Sequence, residues 1–176
     1  PAEFFLRFYS NTKDYIGVHF DSYTSNIFKP ILKDDIIQAT PTSESHITVY
    51  LAAYSFEFQV NFFKQFPDYT FHIFHSGCKQ KETIENLMVS PLSEAFKESL
   101  ITSSGYISNA GFESNAEALY LEKPLLCIPQ INQYEQYCNG AALRKLGVTV
   151  IKKARYKPIK KWLETRKKMP KLIIKI

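Results

Sequence analysis

Short runs of β-branched and aromatic residues alternate with longer stretches of helical periodicity from residue 46 onward. The first run is residues 46–51, and the stretch 56–66 that follows it carries apolar residues at helical spacing before Pro67. The remaining predicted strands are residues 69–74, 87–89, 106–108, 125–128 and 148–151, and the remaining predicted helices are 93–100, with Ser93 as N-cap, 113–121 and 134–146. This alternation predicts an α/β domain in which helices cover both faces of a mostly parallel sheet.

Charge is distributed unevenly along the 176 residues. Residues 152–176 carry 11 of the 22 Lys and Arg side chains and one of the 17 acids, so the rest of the chain is net acidic. Such a tail is typical of contact with an anionic surface. We expect no nucleic-acid partner, because the body is acidic and shows no row of spaced aromatic residues for base stacking.

Cysteine usage and hydropathy bound the class of protein. Cys78, Cys127 and Cys138 are odd in number and far apart, which predicts free thiols and neither a disulfide framework nor a zinc ribbon. No apolar run approaches 18 residues, so no membrane-spanning helix is expected. The chain starts at Pro1 without a signal pattern, and we interpret it as a cytoplasmic fragment or trimmed chain.

Ligands of such sheets bind where strand ends open into helix N-termini, which selects the loops 52–56, 108–114 and 129–136. Gly111 stands between a strand and a helix, where a ligand can approach the backbone and a helix N-terminus suits a diphosphate. Ser114 would add a hydroxyl, and the Glu117 carboxylate could accept hydrogen bonds from a ribose diol. An ordinary turn glycine and an exposed helix acid would give the same pattern.

The loop 130–139 concentrates amides and an acid at another strand-to-helix junction. Glu135 and Gln136 are planar polar groups that can make paired hydrogen bonds with sugar hydroxyls. A polar helix start of no ligand-binding role explains the same residues when the loop is considered alone.

Taken in order, three motifs resemble the donor-binding half of GT-B nucleotide-sugar glycosyltransferases. They are Ser108–Glu117, Glu122–Pro129 and Gln133–Gly147, within a spaced match over residues 105–151 and weaker agreement back to His46. The sequence is most similar to glycosyltransferase family 28, the group of the lipid II-forming N-acetylglucosaminyltransferase and the diacylglycerol galactosyltransferases. The resemblance implies a Rossmann-like three-layer domain, the C-terminal half of a GT-B fold.

The resemblance also implies roles for individual residues, with a UDP-sugar as donor substrate and neither a metal nor a further cofactor. Ribose would be held by Glu117, the donor sugar by Glu135 and Gln136, and the nucleobase by residues 89–96. The implied diphosphate ligands are Asn109, Ala110, Gly111, Ser114 and Ser55, the last in a loop that lacks the family's glycines. The resemblance assigns no catalytic base.

The same likeness divides the chain into three parts. Residues 1–40 would be the end of an N-terminal acceptor domain and its linker, 41–156 the nucleotide-sugar-binding domain, and 157–176 a basic C-terminal helix and tail. The expected function is the donor half of an inverting glycosyltransferase of hexosyltransferase type, inactive without an acceptor domain in cis or on a separate subunit. A nucleotide-sugar epimerase-like enzyme and a non-catalytic binding module are the alternatives.

The basic tail leaves three interpretations open. Ile159, Trp162 and Leu163 would form a narrow apolar stripe if the tail is helical as far as Met169. That helix could lie on the anionic inner face of the cell membrane, pack on the N-terminal domain, or be exposed to solvent without a partner.

Overall fold

The computed structural model describes residues 16–166, and the remainder of the basic tail lies outside the described residues. Its strands are β1 Gly17–Val18, β2 Ile27–Phe28, β3 His46–Tyr50, β4 Thr70–Phe74, β5 Glu82–Ile84, β6 Leu87–Ser90, β7 Tyr106–Ser108, β8 Leu125–Cys127 and β9 Thr149–Val150. Its helices are α1 Asp34–Gln38, α2 Phe56–Phe63, α3 Ala95–Thr102, α4 Glu113–Tyr120, α5 Tyr134–Lys145 and α6 Tyr156–Thr165.

A seven-stranded sheet in the order β5-β6-β4-β3-β7-β8-β9 forms the centre of the domain. Every neighbouring pair in it is parallel except β5 and β6. The chain moves outward from β3 through β4 to β6. It then crosses to the other side of β3 and moves outward through β7, β8 and β9. Adjacent loops at this reversal point form the usual crevice of a Rossmann-like sheet, so the predicted α/β fold class is confirmed.

Helices cover both faces of the sheet because its strands are apolar on both sides. Tyr106 and Cys127 face a core shared with α3, α4 and α5, whereas Ile107 and Leu126 face a second core shared with α2 and α6. Alternate residues of a strand point to opposite faces, which explains this division. Three residues of the preceding segment, Phe20, Leu32 and Ile36, are buried in the first of these cores.

Most predicted elements are present, with differences at their ends. The antiparallel β5 was not predicted, and α3 starts at Ala95 after Glu94, so the prediction of Ser93 as its N-cap is wrong. Ser93 instead supplies its carbonyl to the amide of Phe96 in the turn before the helix, at 2.9 Å. Gly147, with φ of 88°, ends α5 as expected, because its amide and the next one bond back to the last helical turn.

The helix of the basic tail packs on the domain itself. Ile159, Trp162 and Leu163 are buried in the core between the sheet and α2, so the apolar stripe of α6 faces the sheet and not a lipid surface. The exposed face of the helix carries Lys157 and Lys160. Within residues 16–166, no helix combines the length and the apolar character needed to cross a bilayer.

Candidate functional site

The three loops selected from the sequence meet at the carboxyl edge of the sheet, where the side chain of Asn109 joins them. Its Oδ1 accepts a hydrogen bond from the amide of Ala53 at 3.1 Å, and its Nδ2 donates to the carbonyl of Ile128 at 2.8 Å. The side-chain amide of Asn109 therefore links the ends of β3, β7 and β8. The residue is 9% exposed, and both polar atoms of its side chain have protein partners.

A second buried amide, Asn115 on α4, fixes the turn that follows β7. Its Nδ2 donates to the carbonyls of Asn109 and Gly111 at 2.9 and 2.6 Å, and its Oδ1 accepts from the Ser108 hydroxyl at 2.6 Å. Burying these carbonyls without partners would cost free energy, and one side chain satisfies them. The turn is therefore held in one conformation before any ligand arrives.

The N-terminus of α4 is open toward solvent at this turn. No side chain caps the helix, and a Cβ added to Gly111 would meet nothing within 4 Å. The hydroxyl of Ser114 accepts a hydrogen bond from Tyr106 at 3.0 Å and keeps its own proton for a ligand. Uncapped amides and the positive end of the helix dipole make this position suitable for an anionic oxygen.

Beside that turn is a cleft of about 700 Å³, which we call the donor cleft after the role that the sequence resemblance implies for it. The residues that line it are Lys33, Asp35, Tyr50, Leu92, Ser93, Glu94, Phe96, Lys97, Gly111, Phe112, Glu113, Ser114 and Glu117. Gly111, Ser114 and Glu117, which the sequence motif predicted as ligands, thus line one cavity. Leu92, Ser93 and Phe96 belong to the region predicted to contact a nucleobase.

Glu117 is the most buried acid of this cleft, with 9% of its side chain exposed. Burial raises the pKa of its carboxyl above the ordinary value, and the Lys33 ammonium, 3.8 Å away, acts in the opposite direction. In its ionised form, this carboxylate can accept hydrogen bonds from two hydroxyl groups in a partly desolvated position, where charge-assisted bonds are strong.

The other predicted ligands lie around this cavity and not in its wall. Ser55 uses its hydroxyl to cap α2 through the amide of Phe58 at 3.2 Å. Ala110 is fully buried, and its carbonyl accepts from Asn139 at 3.0 Å. The roles assigned to Ser55, Asn109 and Ala110 as diphosphate ligands stay predictions.

The predicted sugar-binding residues lie at the start of α5, next to the same turn. Asn139 donates to Glu135 Oε1 at 3.4 Å as well as to Ala110, so it connects α5 to the turn before α4. Gln136 accepts the amide of Gln130 at 2.8 Å through Oε1, which leaves its NH₂ for other partners. Glu135 and Gln136 are thus held beside the turn at residues 109–111, which we call the diphosphate turn after the role that the resemblance implies for it.

A comparison with protein families matches residues 11–165 to a family described as Glycosyl transferase family 1. The chain belongs to this family. The finer likeness to family 28 stays a prediction. A comparison with curated proteins gives no match.

Solved structures of similar fold are GT-B glycosyltransferases. The glycotransferase of kitacinnamycin has a TM-score of 0.50 and 17% identity, with 78% of this chain and 40% of that one covered. Arabidopsis thaliana UGT89C1, solved with UDP, has a TM-score of 0.50 and 14% identity, with 72% and 38% covered. At these identities the likeness shows the fold, and the chain spans about 40% of the length of the kitacinnamycin enzyme.

Sequence reasoning missed several residues of this family 1 domain that line the donor cleft. Lys33 and Lys97 supply its positive charge, and Tyr50 adds an aromatic ring. Lys33 pairs with Glu113 at 2.8 Å, and Lys97 pairs with Asp35 and Glu94. No local pattern marks Lys33, because its position in the cleft depends on a segment some 80 residues before α4 in the chain.

The histidines in the described part of the chain do not form a metal site. Among residues 16–166, no group of three or more His, Cys, Asp or Glu side chains is arranged to hold a metal ion. His72 interacts with the hydroxyl of Ser99 at 3.2 Å, and His75 with the carbonyl of Tyr54 at 3.0 Å. All three cysteines are free, and burial raises the pKa of the Cys127 thiol to about 12.

Proposed function

We propose that this family 1 domain binds the UDP-sugar donor of an inverting glycosyltransferase of hexosyltransferase type. The observation that supports the proposal is the donor cleft, in which the uncapped N-terminus of α4, Gly111 and Glu117 lie side by side. The family match and the GT-B fold of the structural neighbours agree with it. One of those neighbours was solved with UDP.

In this proposal the diphosphate lies over Gly111 at the start of α4 and accepts hydrogen bonds from the backbone amides and the Ser114 hydroxyl. Glu117 binds both ribose hydroxyls. Residues 92–96, with the aromatic ring of Phe96 in the cleft wall, contact the base. The donor sugar then extends toward Glu135 and Gln136, which the bond from Asn139 to Ala110 holds next to the turn.

A second domain, in cis or on a separate subunit, would supply the acceptor site and the catalytic base. We therefore expect this chain alone to bind UDP weakly and to transfer no sugar. We also propose a cytoplasmic protein that contacts the inner face of the membrane through its basic tail. No charged or nucleophilic side chain of the donor cleft is assigned as the base.

The experiment compares UDP, 2′-deoxy-UDP and inorganic pyrophosphate by calorimetry on the wild type and on Glu117→Ala. Hydrogen bonds to a charged group contribute on the order of 1.5–3 kcal/mol, so Glu117→Ala is expected to weaken UDP by roughly ten- to a hundredfold. Pyrophosphate should bind no worse. The wild type should prefer UDP to 2′-deoxy-UDP, and Glu117→Ala should lose that preference.

Glu113→Ala is the matched control. Glu113 lies on the same helix, lines the same cleft and also pairs with Lys33, but 68% of its side chain is exposed. Its substitution changes the charge equally and should alter UDP affinity less than threefold. Equal loss of UDP and pyrophosphate in Glu117→Ala, or no loss of either, would show that Glu117 is not a ribose ligand.

A further inference from the structure

A second cleft, of about 960 Å³, is lined in part by α5 and shares no residue with the donor cleft. The α5 residues that line it are Tyr137, Gly140, Ala141 and Arg144, at the spacing of one helix face. Glu135 and Asn139, which adjoin the diphosphate turn, lie on the opposite side of the helix. The remaining wall comes from the end of β9 and the start of α6. We call this cavity the basic cleft.

The charges around the basic cleft are all of one sign. Four cations line it, Arg144, Lys152, Lys153 and Arg155, and no acid does. All four are exposed, and none forms an ion pair with another part of the chain between residues 16 and 166. A cavity lined by one sign of charge focuses the field and concentrates ligands of the opposite sign.

Backbone positions add to this positive field and fix it in place. The helix α6 begins beside the cleft with no side-chain cap and no acid in its first turn, so its positive end is uncompensated. The turn that carries Lys152 and Lys153 is held at both ends. The backbone amide of Ile151 donates to the carbonyl of Cys127, and the backbone amide of Ala154 donates to the Tyr54 hydroxyl, both at 3.0 Å.

The rest of the cleft is apolar, which distinguishes it from a site for a simple anion. Pro129, Val150 and Pro158 form part of its wall. At its rim Ile131 is 66% exposed and Tyr137 is 49% exposed. Exposed aliphatic and aromatic side chains next to lysines and arginines are the composition of surfaces that meet the lipid–water boundary.

We propose that the basic cleft binds a lipid phosphate, with the phosphate on the cations at the start of α6 and the hydrocarbon against Pro129, Ile131 and Val150. The site shares no residue with the donor cleft and does not rest on donor binding, but it deepens the membrane contact proposed for the basic tail, to which Lys152, Lys153 and Arg155 belong. It also differs from the α6 stripe, which is buried in the core. The apolar wall favours a lipid phosphate over an acidic protein segment, for which charge alone would suffice.

The first measurement titrates the chain with dihexanoyl phosphatidic acid below its micellar concentration. Dihexanoyl phosphatidylcholine and inorganic phosphate are titrated in parallel. We expect phosphatidic acid to bind at least tenfold more tightly than either, because only it offers both the charge and the chains. Saturating UDP should leave this affinity unchanged. Equal binding of inorganic phosphate would show a simple anion site and overturn the proposal, as would no binding of phosphatidic acid.

Two variants of equal charge locate the site. Lys152→Gln/Lys153→Gln/Arg155→Gln removes three cations from the basic cleft, and Lys157→Gln/Lys160→Gln/Lys161→Gln removes three exposed cations from the outer face of α6. The cleft variant should lose at least tenfold in affinity for phosphatidic acid, and the α6 variant less than threefold. Equal losses would mean unspecific attraction by net charge and would overturn the proposal. Thermal unfolding checks that both variants are folded.

A third variant tests the apolar half of the site. Ile131→Ser should weaken phosphatidic acid three- to tenfold and leave the weak binding of inorganic phosphate unchanged, because Ile131 is exposed at the rim and carries no charge. An unchanged affinity for phosphatidic acid would remove the hydrocarbon contact from the proposal and leave an anion site, or the docking of an acidic protein segment, in its place.

Sedimentation with vesicles then distinguishes the source of the lipid phosphate. Phosphatidylcholine vesicles with and without 20% phosphatidic acid (about one lipid in five) are the probes, which is a density that gives substantial electrostatic attraction. Binding to the acidic vesicles that the cleft variant lacks would assign the site to a bilayer headgroup. Binding of the short-chain lipid without vesicle binding would assign it to an individual lipid-phosphate molecule. Both results support a binding site for a lipid phosphate in the basic cleft.

Discussion

The donor cleft and the basic cleft both lie at strand ends of the sheet but differ in how their charges are arranged. In the donor cleft, Lys33 and Lys97 are paired with acids, and the most buried charged group is the carboxyl of Glu117. In the basic cleft, the cations have no acid in the wall. A mixture of donors and acceptors suits a ligand with hydroxyls and phosphates, whereas a single sign suits an anion without hydroxyls.

The same contrast is visible in the one glycine that each cleft contains. A Cβ on Gly111 would stand in open space, whereas a Cβ on Gly140 would lie 2.9 Å from Cγ of Pro129 and 3.4 Å from Cγ1 of Val150. Gly111 therefore leaves room for a ligand, and Gly140 leaves room for the protein itself. Substitutions at the two glycines should separate binding from stability.

The largest effect is expected for Gly111→Val, which should weaken UDP by at least about a hundredfold, or about 2.7 kcal/mol. The branched side chain fills the space above the α4 amides that a phosphate oxygen needs. The fold should remain intact because no protein atom lies in that space. Calorimetry gives the affinity and thermal unfolding gives the stability.

Binding of phosphatidic acid to the same variant is the internal control and should not change. Unchanged UDP affinity in a folded Gly111→Val protein would show that the phosphate does not lie at this turn. Gly111→Ala, with a single methyl group, should give an intermediate loss.

Acidic pH should destabilise the domain without distinguishing the two clefts. His46 and His72 stack at a centroid distance of 3.8 Å, and the rings approach Ser99, Glu44, Lys81 and Lys123. Burial, with the neighbouring His46, lowers the pKa of His72 to about 4, and burial also lowers the pKa of His46. Both rings therefore bind a proton less readily in the folded state than in the unfolded chain, which binds more protons below pH 6.5.

The stabilisation by these histidines is fully present above about pH 6.5 and is lost as the pH falls toward 4. Because His72 is half-buried, we expect a loss of about 1–2 kcal/mol in the free energy of unfolding. Urea unfolding between pH 7.5 and 4.5 measures it. His72→Gln should flatten the slope, and a slope that is the same in both proteins would contradict this origin.

Gly140→Ala should act on stability and on the basic cleft. Overpacking costs about 1–3 kcal/mol, and the better helix propensity of Ala returns about 1 kcal/mol, so we expect a net loss of about 1 kcal/mol. For a domain of this size that lowers the melting temperature by about 2–4 °C. Phosphatidic acid should bind a few-fold more weakly because Pro129 shifts, and UDP should bind as before. A loss of UDP affinity with unchanged stability and unchanged binding of phosphatidic acid would contradict the assignment of Gly140 to the basic cleft.

The sequence predicted the parts of the fold that local periodicity determines. The strands of the parallel sheet and the helices α4 and α5 lie within a residue or two of their predicted ends, because each is a short apolar run between clear turn signals. The antiparallel β5 was missed, because Glu82–Ile84 is too short and polar to show a period. Ser93 was misassigned as a cap, because a serine before a helix pattern is also compatible with a turn.

The candidate site was predictable only where its residues lie close together in the chain. Gly111, Ser114 and Glu117 come from one turn and one helix, and they line one cleft. Asn115 was missed, although an amide at a buried helical position signals a structural hydrogen-bond network. The basic cleft joins residues 129–158 through tertiary packing, and no spacing in the sequence indicates which of the tail's cations face a cavity.

The smallest effect is expected for Lys33→Met, which tests the one donor-cleft cation that comes from the segment before β3. Lys33 pairs with Glu113 at 2.8 Å and with Glu117 at 3.8 Å, but 62% of its side chain is exposed. Exposed ion pairs contribute little to stability, so the melting temperature should change by less than about 2 °C. Its charge still attracts a diphosphate, and we expect UDP and pyrophosphate to bind roughly two- to fivefold more weakly at low salt. The difference from wild type should shrink as salt is added.

Lys79→Met, which changes an exposed lysine outside both clefts, is the control and should change neither affinity. Tighter UDP binding by Lys33→Met would instead mean that Lys33 competes with ribose for Glu117, and the paired charges of the donor cleft would then oppose its ligand.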